Sequence, residues 1–434
     1  MRNIVIKNFR CYENKSIEFR SGINLLIGDN SVGKTSLLRA CNFVMNSYFS
    51  GYSDENTTWK SADNDDFRNI GITEEPVEIT FQLGSWDLPQ VNGVNLDTES
   101  IFKIEKKSKK NSRNLVTGLG AFKEHTHQLL KRSHELVDGK IQQYIALPLY
   151  ACFTTEDIHS ARKFDKSVFK KYPQKPSFGY FECYDCKGLM ECWIKRLLVL
   201  KEAKKGEDEI NIVRNAIIDV LGTNGCNIID DIDIRHNDGQ VYFHFVDGRE
   251  SKFELLSDGY RRLVNIVMDI AFRCALLNKV MYGEDSYKQT HGTVIIDEID
   301  EHLHPELQVR ILKALHQTFP KIQFIVSSHA PLVMSSVENT SENVVYKLEY
   351  KNGIYSHKEL NTYGLDASTI MHVYMDQVPR DLVVDEEIKN IDSLIDAEKY
   401  PEARVALEKM KERPGSDANP ELSRIEATLS FYED

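Results

Sequence analysis

Gly28-Asp29-Asn30-Ser31-Val32-Gly33-Lys34-Thr35 restricts the fold of this chain more than any other stretch, because such a loop works only between a buried strand and a helix. Ile23-Asn24-Leu25-Leu26-Ile27 supplies the apolar run before it, and a helical pattern follows to about Ala40. The glycines let backbone N–H groups curl around phosphate oxygens, Lys34 brings a cation to the β- and γ-phosphates, and Thr35 offers Mg²⁺ a hydroxyl. Gly28, Asp29, Asn30, Ser31, Val32, Gly33, Lys34 and Thr35, with Ser36 beside them, are therefore expected to hold ATP.

A second element, Leu256-Ser257-Asp258-Gly259-Tyr260, precedes a helical pattern that runs from Arg261. The dipole at a helix N-terminus favours an anion, yet one head offers no phosphate near this point. Ser257 and Gly259 are best placed on the γ-phosphate bound by a second copy, which predicts a C2 dimer with two ATPs in shared sites. A plain N-cap is the commoner use of such a serine.

Asp297 and Glu298 follow the apolar run Thr293-Val294-Ile295-Ile296 and should emerge at the carboxyl end of a buried strand, beside the phosphates. Asp297 suits Mg²⁺ held through water, and Glu298 suits orienting and deprotonating the attacking water. The bland alternative is a pair of acids closing a strand. His329, in Ser327-Ser328-His329, ends the next apolar run and can donate to the γ-phosphate. Glu301-His302-Leu303-His304-Pro305 sits where a loop would cross to the partner head.

The pattern along the chain predicts an α/β head with a mixed sheet, an antiparallel lobe and a helical insertion, followed by a small C-terminal helical tail. Residues 1–117 carry the phosphate loop and the lobe, with strands at 77–81 and 100–104. Residues 118–222 read as mainly helical, most clearly from Gln128 to Val137 and from Gly188 to Ala203. Residues 223–364 complete the head, and 365–434 form the tail. No sustained heptad pattern predicts a coiled-coil arm.

The formal net charge of -12 makes long-range attraction to nucleic acid unfavourable for the whole molecule, so DNA contact is expected only locally or through a complex. The dense basic run, Lys103, Lys106, Lys107, Lys109, Lys110 and Arg113, reads as a solvated hairpin tip, with a nucleic-acid or partner contact as the alternative. Arg10 and Tyr12, near the first turn, fit a nucleotide contact or a surface role equally. The 8 cysteines read as reduced core thiols; Cys183, Cys186 and Cys192 would need a further ligand such as His159 to bind zinc. The apolar segment from Leu263 to Leu277 is broken by Asn265, Asp269 and Arg273, so a buried helix is expected, no membrane contact, and a cytoplasmic protein.

Taken in order, the loop, signature, acidic pair and histidine resemble the ATP-binding-cassette heads of the RecF, SMC and overcoming-lysogenization-defect group, with Asn8-Phe9-Arg10 similar to their opening. Leu147-Pro148-Leu149-Tyr150, the helix around Trp193 and the segment from Gly364 to Asp381 resemble the PtuA family of Septu antiphage defence. That resemblance implies an ATP hydrolase, slow or regulatory in turnover, that assembles with a PtuB-like HNH nuclease and controls it. Thr154-Thr155-Glu156-Asp157 departs from the family, whose members often carry an arginine there, and this leaves the Q-loop equivalent unassigned. Two other readings compete: a PARIS-like sensor ATPase that releases a toxin or effector, and an SMC/RecF-like DNA-repair head.

Overall fold

In the computed structural model all of the 434 residues are described except 52, 53, 55, 57, 58, 61, 69–74, 92–95, 109–118, 139, 156–166, 173, 379 and 434, and the side chains of 168, 417 and 433. Residues Met1–Leu365 form one compact unit and Asp366–Asp434 a second.

The first unit begins with the hairpin β1 (Asn3–Phe9) and β2 (Tyr12–Glu18), then β3 (Ile23–Ile27) and helix α1 (Lys34–Asn46). Strands β4 (Val77–Gln82) and β5 (Phe102–Lys106) follow, then α2 (Gly120–Arg132), the hairpin β6 (His134–Val137) and β7 (Lys140–Gln143), and β8 (Leu149–Phe153). Next come α3 (Met190–Glu202), α4 (Glu207–Leu221), and strands β9 (Ile229–Arg235), β10 (Gln240–Phe245) and β11 (Glu250–Lys252). The unit closes with α5 (Asp258–Tyr282), α6 (Ser286–Gln289), β12 (Gly292–Ile296), α7 (Pro305–Thr318), β13 (Ile322–Ser327), α8 (Pro331–Ser335), β14 (Val344–Lys351) and β15 (Ile354–Glu359).

The main sheet has the order β15-β14-β3-β13-β12-β8, parallel throughout except for the β14–β15 hairpin. Every residue of β3, β8, β12 and β13 is buried, as expected of strands covered on both faces. A separate antiparallel sheet, β2-β1-β4-β5, alternates buried and outward positions. The register decides what meets at the carboxyl edge of the main sheet. Ile296 pairs with Val326, and Ser327 with Leu26, so the loop after Ile27, the acids after Ile296 and Ser327 leave the sheet side by side.

Several expectations need correction. The helix expected from Gln128 to Val137 is α2, ending at Arg132. Ser133 Oγ donates to the Leu130 carbonyl at 3.1 Å, and His134–Val137 then alternates into a hairpin with Lys140–Gln143. Residues 118–222 are not simply an insertion, because β8 is an edge strand of the main sheet beside β12. The solvated tip fails at Lys103 and Lys106, whereas Lys107 is exposed. Lys103 lies on β5 and pairs with Glu78 at 2.6 Å, while Lys106 is buried, bonded to the Ala62 carbonyl, with its ammonium 5.4 Å from the Phe67 ring centroid. Lys109, Lys110 and Arg113 lie outside the described residues, as do His159, Glu156 and Asp157.

Cys183, Cys186 and Cys192 are buried, and the Cys186 thiol lies against the Asp269–Arg273 ion pair on α5. Helix α5 is 25 residues long, and no helix among the described residues is long and apolar enough to cross a membrane. The second unit contains the short α9 (Ala367–Thr369), a π-helical turn at Ile370–Tyr374, and helices α10 (Leu382–Asp396), α11 (Tyr400–Lys411) and α12 (Pro420–Glu433). The last three share a core that includes Ile391, Leu407 and Ile425.

Candidate functional site

The loop between β3 and α1 takes its shape from two glycines with positive φ, +143° at Gly28 and +96° at Gly33. A Cβ at Gly28 would overlap the Leu348 carbonyl of β14, and one at Gly33 would overlap the Tyr12 hydroxyl, so neither position has room for a side chain. Tyr12 donates to the Gly33 carbonyl at 2.9 Å and braces the loop from β2. Helix α1 starts at Lys34 with no side-chain cap, which leaves its first amides to an external acceptor. Asp29, Asn30, Ser31 and Thr35 are exposed, Ser36 is half-buried, and Val32 is buried.

Lys34 is buried, and its ammonium donates to the Gly28 and Asp29 carbonyls at 2.7 and 2.9 Å. Burial lowers its pKa to about 8, against the opposing pull of Asp297, Glu298, Asp29 and Asp300. The loop lysine therefore lies within the field of the acids that follow β12. Asp297 is 8% exposed and accepts from the Ser327 hydroxyl. That same hydroxyl accepts from the Glu298 N–H at 2.7 Å. Ser327 thus fixes both acids from the end of the neighbouring strand.

Glu298 has φ +50°, a left-handed conformation that costs a residue with a Cβ about 1–2 kcal/mol. Partial burial, and then the Asp297 carboxylate, raise its pKa, while His329 works in the opposite direction. His329 Nε2 lies 3.9 Å from Glu298 Oε1, and its backbone N–H donates to Asp300 at 3.2 Å. Lys34, Asp297, Glu298 and His329 are thus gathered at one edge of the sheet. The oxygen donors of Thr35 and Asp297 are of the hard type that suits Mg²⁺ completed by water and phosphate.

Ser257 and Gly259 make different contacts. Ser257 is exposed and caps α5, accepting from the Tyr260 N–H at 3.5 Å, so the cap is part of its role. Gly259 is buried against the segment after β12, where a Cβ would overlap the His302 carbonyl. Arg10 pairs with Asp66 at 3.0 Å. A cleft of about 650 Å³ between the α3–α4 turn and β9 contains none of these residues.

Reading the sequence gave no role to Ser327 or Arg262, and it took Glu301 only as part of a loop crossing to the partner head. The fully buried Arg262 donates to the Asp297 carbonyl at 2.5 Å and pairs with Glu301. A serine at the end of an apolar run was visible in the sequence, but its place beside the acidic pair and its two bonds come from tertiary structure.

Residues 1–334 match the AAA ATPase domain family. Over 152 residues the chain is 37% identical to the Retron Vc95 probable ATPase of Vibrio cholerae serotype O1 biovar El Tor, covering 34% of this chain and 29% of that protein. Over 140 residues it is 34% identical to the Septu protein PtuA of Bacillus mycoides, covering 31% of this chain and 19% of PtuA. The chain thus spans less than a third of the length of these two relatives. A solved SMC head bound to the C-terminal winged-helix domain of ScpA aligns with a TM-score of 0.49 at 15% identity, covering 83% of this chain and 97% of that one. With a match over most of its length, the chain belongs to the AAA ATPase domain family, and about a third of it is similar to the PtuA and retron ATPases.

Proposed function

We propose that this chain binds and hydrolyses ATP in sites shared between two heads and that the nucleotide state controls a partner nuclease. The phosphates lie on the amides of Gly28 to Ser36, and the Lys34 ammonium leaves its two loop carbonyls for the β- and γ-oxygens. Thr35 and Asp297 hold Mg²⁺, which supplies charge neutralisation on the phosphate oxygens. Glu298 accepts a proton from the attacking water, its basicity raised by partial burial and by Asp297. His329, near Glu298, donates to the γ-phosphate. The exposed Ser257 and the amides of the α5 N-terminus take the γ-phosphate bound by the second copy.

The observation that carries this reading is the convergence of Lys34 with Asp297 and Glu298 at one sheet edge, fixed by strand register and by Ser327. Similarity to PtuA supports an HNH nuclease of the PtuB kind as partner, DNA contact through that complex, and slow, regulatory turnover. Similarity to retron ATPases supports a second reading, in which the ATPase senses and then releases a different effector. Purification from native cells, followed by mass analysis and a DNA-cutting assay with and without ATP, distinguishes them. An HNH protein whose cutting responds to ATP supports the first reading; a toxin in its place supports the second, and DNA alone overturns both.

A further inference from the structure

We propose that Arg262 is a positioning residue that ties the signature helix to the hydrolytic carboxylate of its own head; this rests on the role given to Glu298 above. Arg262 lies little more than one helical turn after Ser257 on α5 and is 1% exposed. The guanidinium Nη2 donates to the backbone carbonyl of Asp297, the residue immediately before Glu298, and Nη1 pairs with Glu301. Gly259, between Ser257 and Arg262, packs directly on the His302 carbonyl. Residues 259–262 therefore touch residues 297–303 at three points.

The segment they hold is one whose conformation needs support. Glu298 and His302 both have positive φ, +50° and +62°, although neither is glycine. Glu301 N–H donates to the Glu298 carbonyl and Leu303 N–H to the Asp300 carbonyl, both at 3.0 Å, so the turn is tight but local. Ser327 holds this turn from the sheet side and Arg262 from the helix side. A buried guanidinium is planar and forked, so it can engage a carbonyl and a carboxylate together, an arrangement that a lysine reproduces only in part. A load placed on Ser257 therefore moves the same rigid helix end that fixes the peptide of Asp297 and Glu298.

The test uses the full chain carrying Arg262→Gln, Arg262→Lys or Glu301→Gln. Affinity is read with a fluorescent ATP analogue and turnover at saturating ATP. Arg262→Gln is expected to bind the analogue within about threefold of the parent while turnover falls about tenfold or more, with Arg262→Lys recovering part of the loss. Unchanged turnover overturns the proposal, and so does a parallel loss of binding and turnover, which marks a purely structural residue. Adding Arg262→Gln to Glu298→Gln should leave any ATP-dependent dimer intact; loss of that dimer assigns Arg262 to the interface and also overturns the proposal. If Glu298→Gln alone stays monomeric with ATP, the shared-site reading fails, and the split between binding and turnover still decides the role of Arg262.

Discussion

Ser327→Ala removes a hydroxyl that serves two partners, and its cost can be worked from the geometry. Ser327 is fully buried; it accepts from the Glu298 N–H at 2.7 Å and donates to the Asp297 carboxylate. Losing a hydrogen bond to a charged group costs about 1.5–3 kcal/mol, and stranding a buried N–H about 1–3 kcal/mol. With Asp297 8% exposed, water can replace little of this, and a total of about 3 kcal/mol follows from the lower parts of both ranges. For a unit spanning Met1–Leu365, unfolding entropy of roughly 0.8 kcal/mol per kelvin turns that into a drop in Tm of about 4 °C. Turnover should fall about tenfold or more, since both acids lose a fixed position, while ATP affinity holds because the phosphate loop is untouched. Calorimetry and a phosphate-release assay read the two effects. Ser328→Ala is the control, because its hydroxyl accepts the Ala330 N–H, at 3.0 Å, and holds neither acid, so about 1 kcal/mol is at stake. If Ser327→Ala melts and turns over like the parent, the serine bridge does not organise the site.

Other perturbations address the remaining parts of the site. Lys34→Ala should weaken ATP binding about tenfold or more in a fluorescence titration, since it deletes the loop's only buried cation without altering the two glycine turns. Glu298→Gln should keep nucleotide affinity, lower turnover about 100-fold, and yield an ATP-dependent dimer by light scattering. Gly259→Ala should lower Tm by a few degrees, because its Cβ meets a backbone carbonyl that cannot rotate away, at a cost of about 1–3 kcal/mol.

The parts of the site that were legible in the sequence are those written in local pattern. Ile23–Ile27 before the glycine loop and Gly292–Ile296 before Asp297 are buried runs of strand length, and the residues after them sit at the sheet edge as such runs imply. Ser327 and Arg262 were not legible in that way. Their partners lie 29 to 39 residues away, and only the order of β3, β13 and β12 and the packing of α5 bring them together. Lys106 shows a missed local signal. Phe102, Ile104 and Lys106 share one face of β5, so period-two alternation already placed that lysine on the buried side. The end of α2 was set by Ser133, a choice between continuing the helix and starting a hairpin that helical periodicity alone cannot make.

The fold constrains Ser257 and Gly259 of the signature element unequally. Gly259 is required within a single head: any side chain there collides with the His302 carbonyl, whether or not a second copy exists. Its presence alone is therefore weak support for a shared nucleotide site. Ser257 is exposed; its carbonyl accepts from the Arg261 N–H at 2.8 Å, a bond any residue would make there, while its hydroxyl makes a cap of 3.5 Å, at the long limit for a hydrogen bond. A small, exposed hydroxyl at the start of a 25-residue helix is thus nearly free of obligations to its own head, and a bulky residue there would disturb folding little. Ser257→Arg consequently separates the two causes that Gly259→Ala confounds. A loss of ATP-dependent association with Tm held to within about 1 °C traces to the partner head, since the cap at stake is worth only about 1 kcal/mol.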